Sequence, residues 1–217
     1  SIVEVAASYG MTIESAPTAP EGEVVKSKPG HVLPDGATVL SRTVAPLVAA
    51  CYSLIKARRP ARVLGREIGQ GLVTLIKGLK ASNVNDMLGR LTAWQDREVL
   101  KCGEREDKIA AVEDRCECVR VMCEGLPPDA YTIDRLCEEI EDMFQDKGAT
   151  AKTVTFSSIH KAKGMEWEQV HILDAHKLPS AWAKREWQRV QEVNCAYVAV
   201  TRAKSSLVLL RAEHLAA

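Results

Sequence analysis

Two blocks near the C-terminal end carry the side chains that are best suited to contact phosphate groups. Residues 155–167 read Thr-Phe-Ser-Ser-Ile-His-Lys-Ala-Lys-Gly-Met-Glu-Trp, and residues 191–204 end in Val-Thr-Arg-Ala-Lys. Arg202, in the second block, has a guanidinium group that is permanently charged and forked, which suits the charge that spreads over phosphoryl oxygens during transfer. By its spacing alone, Arg202 is also compatible with an ordinary surface arginine.

The charge of the chain is balanced overall but is distributed unevenly. The 217 residues contain 29 Lys+Arg and 29 Asp+Glu, so the net charge gives no argument for a polyanionic ligand. Residues 104–142 carry 13 acidic and 5 basic side chains, whereas residues 147–211 carry 11 basic and 5 acidic ones. The C-terminal third is therefore predicted to face a polyanion, with a solvated surface as the competing interpretation.

The composition indicates a globular protein with reduced thiols. Apolar residues make up 46% of the chain, which is enough to bury a core. The seven cysteines are an odd number and include no Cys-x-x-Cys pair, so we expect buried thiols rather than a disulfide framework or a metal site. No apolar run has the length of a membrane span. We expect a soluble, intracellular protein, and the compartment (cytoplasm, nucleoid or nucleus) stays open.

The periodicity of apolar residues predicts an α/β core that is interrupted by helices. Residues 37–41 and 62–65 are predicted to be strands on either side of a helix, with Pro46 in the first helical turn. Apolar stripes at helical spacing fill the next stretch, which Gly148 is predicted to close as a helix C-cap. Further strands are predicted at residues 152–157, 169–173 and 206–210, with a helix at 182–197.

These patterns predict a core domain made of residues 1–65 and 149–217, and an all-helical insertion at 66–148. The first thirty residues are harder to interpret. Residues 2–7 are compatible with a short helix, and residues 15–29 have the composition of a loop. Because the chain lacks an initiating methionine, we expect it to be a fragment of a longer protein.

The two phosphate-suited blocks, in this order, resemble motifs V and VI of the superfamily 1 helicases of the UvrD/Rep/PcrA type. The resemblance is specific over residues 153–204, and a weaker one to motif IV covers residues 37–65, where Val44 stands in place of an asparagine. It implies the second RecA-like domain of such a helicase, which is a parallel sheet flanked by helices. The helical insertion would then replace the larger accessory domain of the best-known relatives.

The resemblance also implies a role for each matching residue. Arg202 would contact the γ-phosphate of ATP, and Arg42, in motif IV, would contact the same phosphate. Glu166 would bind the ribose beside the tight turn at Gly164. The residues implied to contact single-stranded DNA are Ser158, His160, Lys161 and Lys163. Motif VI departs from the family pattern at Gln191, Val193 and Asn194.

The chain contains no Gly-x-x-x-x-Gly-Lys-Ser/Thr sequence, which is the loop that binds ATP phosphates. The apolar run that ends at Asp174 looks like a magnesium-binding strand, but no phosphate loop precedes it. The resemblance therefore implies half of a motor, in which the missing N-terminal RecA-like domain binds most of the ATP and Mg²⁺. We expect this chain alone to be inactive. The alternative is a non-catalytic, helicase-derived scaffold that recruits a partner through its acidic helices.

Overall fold

The computed structural model describes residues 1–10, 22–127, 131–145, 148–180 and 183–216. The contacts divide the chain into two compact units: unit 1 is Ser1–Arg42 with Thr150–Ala217, and unit 2 is Thr43–Ala149. The predicted domain boundary after residue 148 lies one residue from this division, whereas the one after residue 65 falls inside unit 2. Compactness does not show where one domain was inserted into another, so the predicted domain limits stay a prediction.

The described residues form six strands and seven helices. In chain order they are α1 (Ile2–Ser8), β1 (Glu23–Lys26), β2 (Thr38–Ser41), α2 (Ala45–Lys56), β3 (Ala61–Val63), α3 (Arg66–Gly78), α4 (Val84–Cys102), α5 (Glu106–Gly125), α6 (Ile133–Met143), β4 (Val154–Ser158), β5 (Trp167–Leu173), α7 (Glu186–Val200) and β6 (Ala203–Leu210). Short 3₁₀ turns follow β5 at Ala175–Lys177 and β6 at Ala212–His214.

Unit 1 is built on a parallel sheet in which the strands lie in the order β1-β6-β5-β2-β4. Strand β2 is paired on both sides, because Thr38 lies opposite Thr155 of β4 and opposite Val170 of β5. All four residues of β2 are buried, as is typical of a central parallel strand. Since the strands are parallel, the loops that follow β1, β2, β4, β5 and β6 all leave from the same, carboxyl, edge of the sheet.

One face of this sheet is covered by α1 and α7. Small buried residues of α7, Ala196 and Ala199, belong to the same apolar cluster as Val170 and Ile172 of β5 and Leu207 of β6. Small side chains allow the helix backbone to lie close to the sheet. Helix α7 is thereby held against the strands that it connects, and its polar residues are placed in fixed positions.

Unit 2 contains β3 and the helices α2 to α6, in which α5 packs against α2 and α4, and α3 packs against α6. The side chain of Asp114 in α5 accepts hydrogen bonds from the amides of Val44 and Ala45, at 2.8 and 2.9 Å, and so caps the start of α2. Gly125 is required for close packing, because a Cβ atom there would lie 1.9 Å from the ring of Tyr52.

The α/β class is confirmed, and the predicted strands and helices are present with shifted ends. The helix predicted at residues 182–197 is observed at Glu186–Val200. Strand β1 was missed, because its sequence, Glu-Val-Val-Lys, was interpreted as part of a loop. The C-cap predicted at Gly148 is wrong: α6 ends at Met143, with Phe144 as its cap.

All seven cysteines lie among the described residues, and none of them forms a disulfide. Six are buried, and Cys102 is partly exposed. Burial raises the pKa of Cys195 to about 11 and that of Cys123 to about 12. Within the described ranges there is no cluster of three or more His, Cys, Asp or Glu side chains with the arrangement of a metal site. No helix in these ranges is long and apolar enough to cross a membrane.

Candidate functional site

The loop after β4 presents alternate residues to the core and to the solvent. Ile159 and Ala162 are buried in the apolar cluster of unit 1, whereas His160 and Lys163 point outward. The loop is closed by a hydrogen bond from the amide of Ala162 to the carbonyl oxygen of Ser158, at 3.0 Å. The packing of these two apolar residues therefore fixes the orientation of the neighbouring His160 and Lys163.

The hydroxyl oxygen of Ser158 also takes part in this loop. It accepts a hydrogen bond from the amide of Lys161 at 3.3 Å, and the Ser158 side chain is half-buried. A hydroxyl group that accepts one bond retains its own proton for donation. Ser158 can therefore stabilise the loop and still donate to a ligand.

Gly164 adopts the left-handed backbone conformation that the sequence predicts for a tight turn, with φ of +87°. No atom lies within 4 Å of the position of a Cβ atom, so the requirement for glycine is conformational rather than steric. Glu166 lies two residues further on and is exposed. The next residue, Trp167, donates its amide hydrogen to the carbonyl oxygen of Arg202 at 2.9 Å. The turn at Gly164 is therefore joined to the chain segment that carries Arg202.

Arg202 lies just after the last turn of α7, where its guanidinium group is held by neutral acceptors. Its Nε donates to the carbonyl of Val198 at 3.0 Å, and its Nη1 donates to the carbonyl of Met165 at 2.9 Å. Its Nη2 donates to the hydroxyl of Thr201 at 3.0 Å. Free carbonyls at a helix C-terminus favour a cation. No carboxylate of a described residue pairs with this guanidinium, so its positive charge is oriented without being neutralised.

Arg42 follows β2 and is held in a different way. Its Nε and Nη2 both donate to Oε1 of Glu192, at 2.9 and 2.8 Å. The other oxygen of Glu192 accepts the amide hydrogen of Ser180 at 3.2 Å. The side chain of Glu192 is only 2% exposed and that of Arg42 is 29% exposed. The charge of Arg42 is therefore paired with a buried carboxylate.

Arg42, His160, Lys163 and Glu192 line one cavity of about 300 Å³ between α7 and the loop after β4. Partial burial, and then the nearby charge of Arg42, lower the pKa of His160 below its ordinary value of 6.5. His160 is therefore neutral at pH 7. At that pH the positive charge of the cavity comes from Lys163, because Glu192 offsets Arg42.

The structure brings Arg42 together with two of the four predicted DNA contacts, His160 and Lys163. It places Arg202 near Gly164 and Glu166. The two guanidinium groups bind different parts of α7. The six residues from Glu192 to Val198 correspond to about 9 Å along a helix axis. The structure thus does not join the two arginines at one position, and a shared contact with the terminal phosphate stays a prediction.

Sequence reasoning missed the role of Glu192. Its neighbours Gln191, Val193 and Asn194 depart from the motif VI pattern, whereas Glu192 is the acidic residue that the pattern retains. The motif comparison assigned no role to it. The pairing with Arg42 joins residues 150 positions apart, so no local spacing reveals it. The available signal was the position of Glu192 four residues before Ala196, which places both on the buried face of α7.

The parallel sheet with this strand order, flanked by helices, is that of a RecA-like α/β domain, and it carries an arginine after the last helix and a glycine turn beside it. The family model described as the UvrD-like helicase C-terminal domain matches residues 80–214, which is more than half of the chain. The chain belongs to this family. The match confirms the recognition that rests on motifs V and VI, and its range does not include Arg42. No curated protein matches the chain.

Proposed function

We propose that this chain is the C-terminal motor domain of an ATP-dependent DNA helicase or translocase. In this proposal Arg202 contacts the γ-phosphate of ATP, Glu166 accepts hydrogen bonds from the ribose hydroxyls, and the loop after β4 contacts single-stranded DNA. The observation that carries the proposal is the state of Arg202, whose guanidinium is oriented by three neutral acceptors and has no carboxylate partner among the described residues.

The bonding of Arg202 leaves capacity for a phosphate group. A guanidinium has five N–H donors, and three of them are used by Val198, Met165 and Thr201. One donor on each terminal nitrogen remains, and such a pair matches two oxygens of a phosphoryl group. Because the arginine is already held in place, it would lose little side-chain entropy on binding.

The donors of this chain fit the phosphate part of the nucleotide, and they do not fit a complete magnesium site. The described residues offer cationic donors at Arg202 but no cluster of metal-ligating side chains. We therefore assign the Mg²⁺ ligands and the phosphate loop to an N-terminal RecA-like domain, which is the proposed partner. This assignment leads us to expect no ATP hydrolysis by the 217-residue chain alone.

The DNA part of the proposal rests on the loop after β4. His160 and Lys163 line the cavity, the hydroxyl of Ser158 retains a proton, and the half-buried Lys161 lies between them in sequence. These groups are suited to the phosphate backbone rather than to base edges. For Arg42 to contact the terminal phosphate of ATP as well, its guanidinium would have to leave Glu192 or donate hydrogen bonds to Glu192 and to the phosphate at the same time.

The test mixes this chain with a separately expressed phosphate-loop half from the same gene and measures ATPase activity. Arg202→Ala is expected to lower kcat by about a thousandfold, the lower range for an arginine that stabilises charge during phosphoryl transfer. Arg97→Ala, which removes an exposed arginine of α4, is the control and should leave kcat unchanged. Equal activity of the Arg202→Ala variant and the unmodified chain would overturn the proposal.

The same experiment separates the motor from the scaffold. A scaffold that acts through its acidic helices would give no stimulation of ATPase activity with any phosphate-loop half. If the gene upstream of Ser1 encodes neither a phosphate loop nor an acidic motif II, the scaffold is also favoured.

A further inference from the structure

A second cavity in unit 1, of about 420 Å³, lies at the carboxyl ends of β1 and β6. It shares no lining residue with the cavity beside Arg42. Ala175, Leu178 and Leu209 give it an apolar surface, and Lys26, His176 and Arg211 bring basic groups to it. None of these residues belongs to the motifs that suggested the function.

An aromatic ring completes the lining of this cavity. Tyr9 follows α1, is half-buried, and packs against the apolar cluster of unit 1. Burial raises the pKa of its hydroxyl, so the side chain is a neutral phenol at pH 7. An aromatic ring beside apolar side chains suits the face of a nucleobase, and nearby cations suit a phosphate.

The basic groups around the cavity are available to an anion. Lys26 forms no hydrogen bond or ion pair through its side chain within the described part of the chain. Arg211 pairs with Glu213 at 3.2 Å, but both side chains are more than half exposed, and such pairs contribute little free energy. The nearby carboxylate of Asp174 is occupied by the ammonium of Lys177 and the amide of Ala212. A phosphate group would therefore meet two accessible cations.

This cavity lies at the same edge of the sheet as the proposed DNA contacts. Strand β4 leads into His160, and β2 and β5 separate β4 from β6. Three strand spacings correspond to about 14 Å. A single strand that contacts His160 would need only a few additional nucleotides along this edge to reach Lys26 and Arg211.

We propose that this cavity binds one nucleotide of a single DNA strand, with the base against Tyr9 and the apolar floor and the phosphate between Lys26 and Arg211. The contact with DNA would then extend from the loop after β4 across the carboxyl edge of the sheet to β1. The inference rests on the proposed DNA contact at that loop, to which it adds a second, separate position.

The test measures fluorescence anisotropy of labelled oligothymidylates, about 4 and about 16 nucleotides long, with the 217-residue chain. The variant Lys26→Ala/Arg211→Ala is expected to lower affinity for the longer oligonucleotide about tenfold and to reduce its salt slope by about 1 to 2. Affinity for the shorter one, which is barely long enough to reach from the loop to the cavity, should fall less. Both residues are exposed, so the fold is expected to persist, as circular dichroism would show.

The matched control is Lys101→Ala/Lys108→Ala, which removes two exposed cations from α4 and α5 and should not change either affinity. Tyr9→Ala is expected to weaken binding of the longer oligonucleotide about fivefold to tenfold. Tyr9→Phe keeps the aromatic ring and should bind this oligonucleotide with the affinity of the unmodified chain.

Three outcomes would overturn the inference, and they can be told apart from failure of the proposed function. Unchanged affinity in Lys26→Ala/Arg211→Ala, with loss in His160→Ala/Lys163→Ala, removes the second position and leaves the loop contact standing. If unlabelled thymidine mononucleotide displaces the labelled oligonucleotide as effectively as the unlabelled longer oligonucleotide does, the cavity is a site for free nucleotides instead. No binding of either oligonucleotide by the unmodified chain contradicts both proposals.

Discussion

The two arginines of the candidate site hold helix α7 in contrasting ways. Arg42 binds the middle of the helix, through the buried carboxylate of Glu192. Arg202 binds at the end of the helix, through the carbonyl of Val198, and joins the helix to the motif V turn through Met165. Both are well ordered by hydrogen bonds, but only one of them is paired with an opposite charge.

This difference shows that two properties of an arginine are separate: how firmly hydrogen bonds hold its side chain, and whether a carboxylate neutralises its charge. Neutral acceptors orient Arg202 while its full charge is retained for an anionic ligand. A carboxylate orients Arg42 more strongly and offsets its charge, so a phosphate would compete with Glu192. We therefore expect Arg42 to matter mainly for the stability of unit 1, and Arg202 mainly for its chemistry.

The largest effect on stability is expected from Glu192→Ala. This change removes the acceptor that Glu192 provides to the guanidinium of Arg42 and to the amide of Ser180. It should lower the free energy of unfolding by about 3 kcal/mol. Urea unfolding followed by circular dichroism gives the value. The control Glu186→Ala removes an exposed glutamate from the same helix and should cost less than about 1 kcal/mol. Equal losses in the two variants would show that the Arg42–Glu192 pair contributes nothing.

Acid should destabilise unit 1 through His171, which is 1% exposed on β5. Burial, and then the nearby His31, lower the pKa of His171 to about 4 from an ordinary 6.5. The unfolded chain thus binds the proton more readily, so stability is complete above pH 6.5 and falls as the pH drops toward 4, by about 3 kcal/mol in total.

Unfolding free energies measured between pH 7 and 4 test this expectation. His171→Phe should make the unfolding free energy nearly independent of pH in this range, although it also changes the core packing. The control His176→Gln alters an exposed histidine and should keep the same pH dependence as the unmodified chain. An unchanged slope in His171→Phe would exclude His171 as the cause. The result also sets the lowest pH at which the two arginine sites can be compared in the folded state.

A smaller effect is expected on DNA binding at the cavity that Arg42 and His160 line. His160 faces Arg42, Glu192 and Lys163, and its lowered pKa keeps it neutral at pH 7. As the pH falls below 6.5, protonation adds one charge, and the affinity for a short oligothymidylate should rise about twofold to fivefold. His160→Gln should abolish the rise. A rise that persists in this variant would point to another titrating group.

The smallest effect is expected from Arg202→Lys on stability. An ammonium group keeps the charge at the end of α7 but cannot reproduce the three hydrogen bonds of the fork, so the loss should be below about 1 kcal/mol. Urea unfolding of the Arg202→Lys and Glu192→Ala variants under the same conditions measures this loss of free energy. A loss as large as that of Glu192→Ala would mean that Arg202 is chiefly structural, and the contrast between the two arginines would disappear.

Much of the fold follows from local patterns in the sequence. Buried parallel strands such as β2 and β5 are apolar runs, and α3, α4 and α6 carry stripes at helical spacing, so periodicity finds them. Periodicity does not predict strand β1, because this strand is short and contains only two apolar residues, Val24 and Val25. Its pairing with β6 depends on residues about 180 positions away, which no local window includes.

The candidate site was predictable where its residues are close in sequence. Gly164 and Glu166 lie within one block, and the turn at Gly164 was predicted from its motif. The partner of Arg42 and the cavity at Tyr9 were not predictable, because each depends on how distant strands and helices are placed side by side. Neighbours of this kind are set by the tertiary fold rather than by spacing.

The burial of the thiols has a practical consequence for studying this chain. Six cysteines lie in the interior, where the rise in pKa suppresses the reactive thiolate, and Cys102 alone is partly open to solvent at the end of α4. A maleimide reagent applied under native conditions should therefore modify predominantly one position. A fluorophore could be attached to unit 2 without any mutagenesis, well away in sequence from both arginines and from the loop after β4.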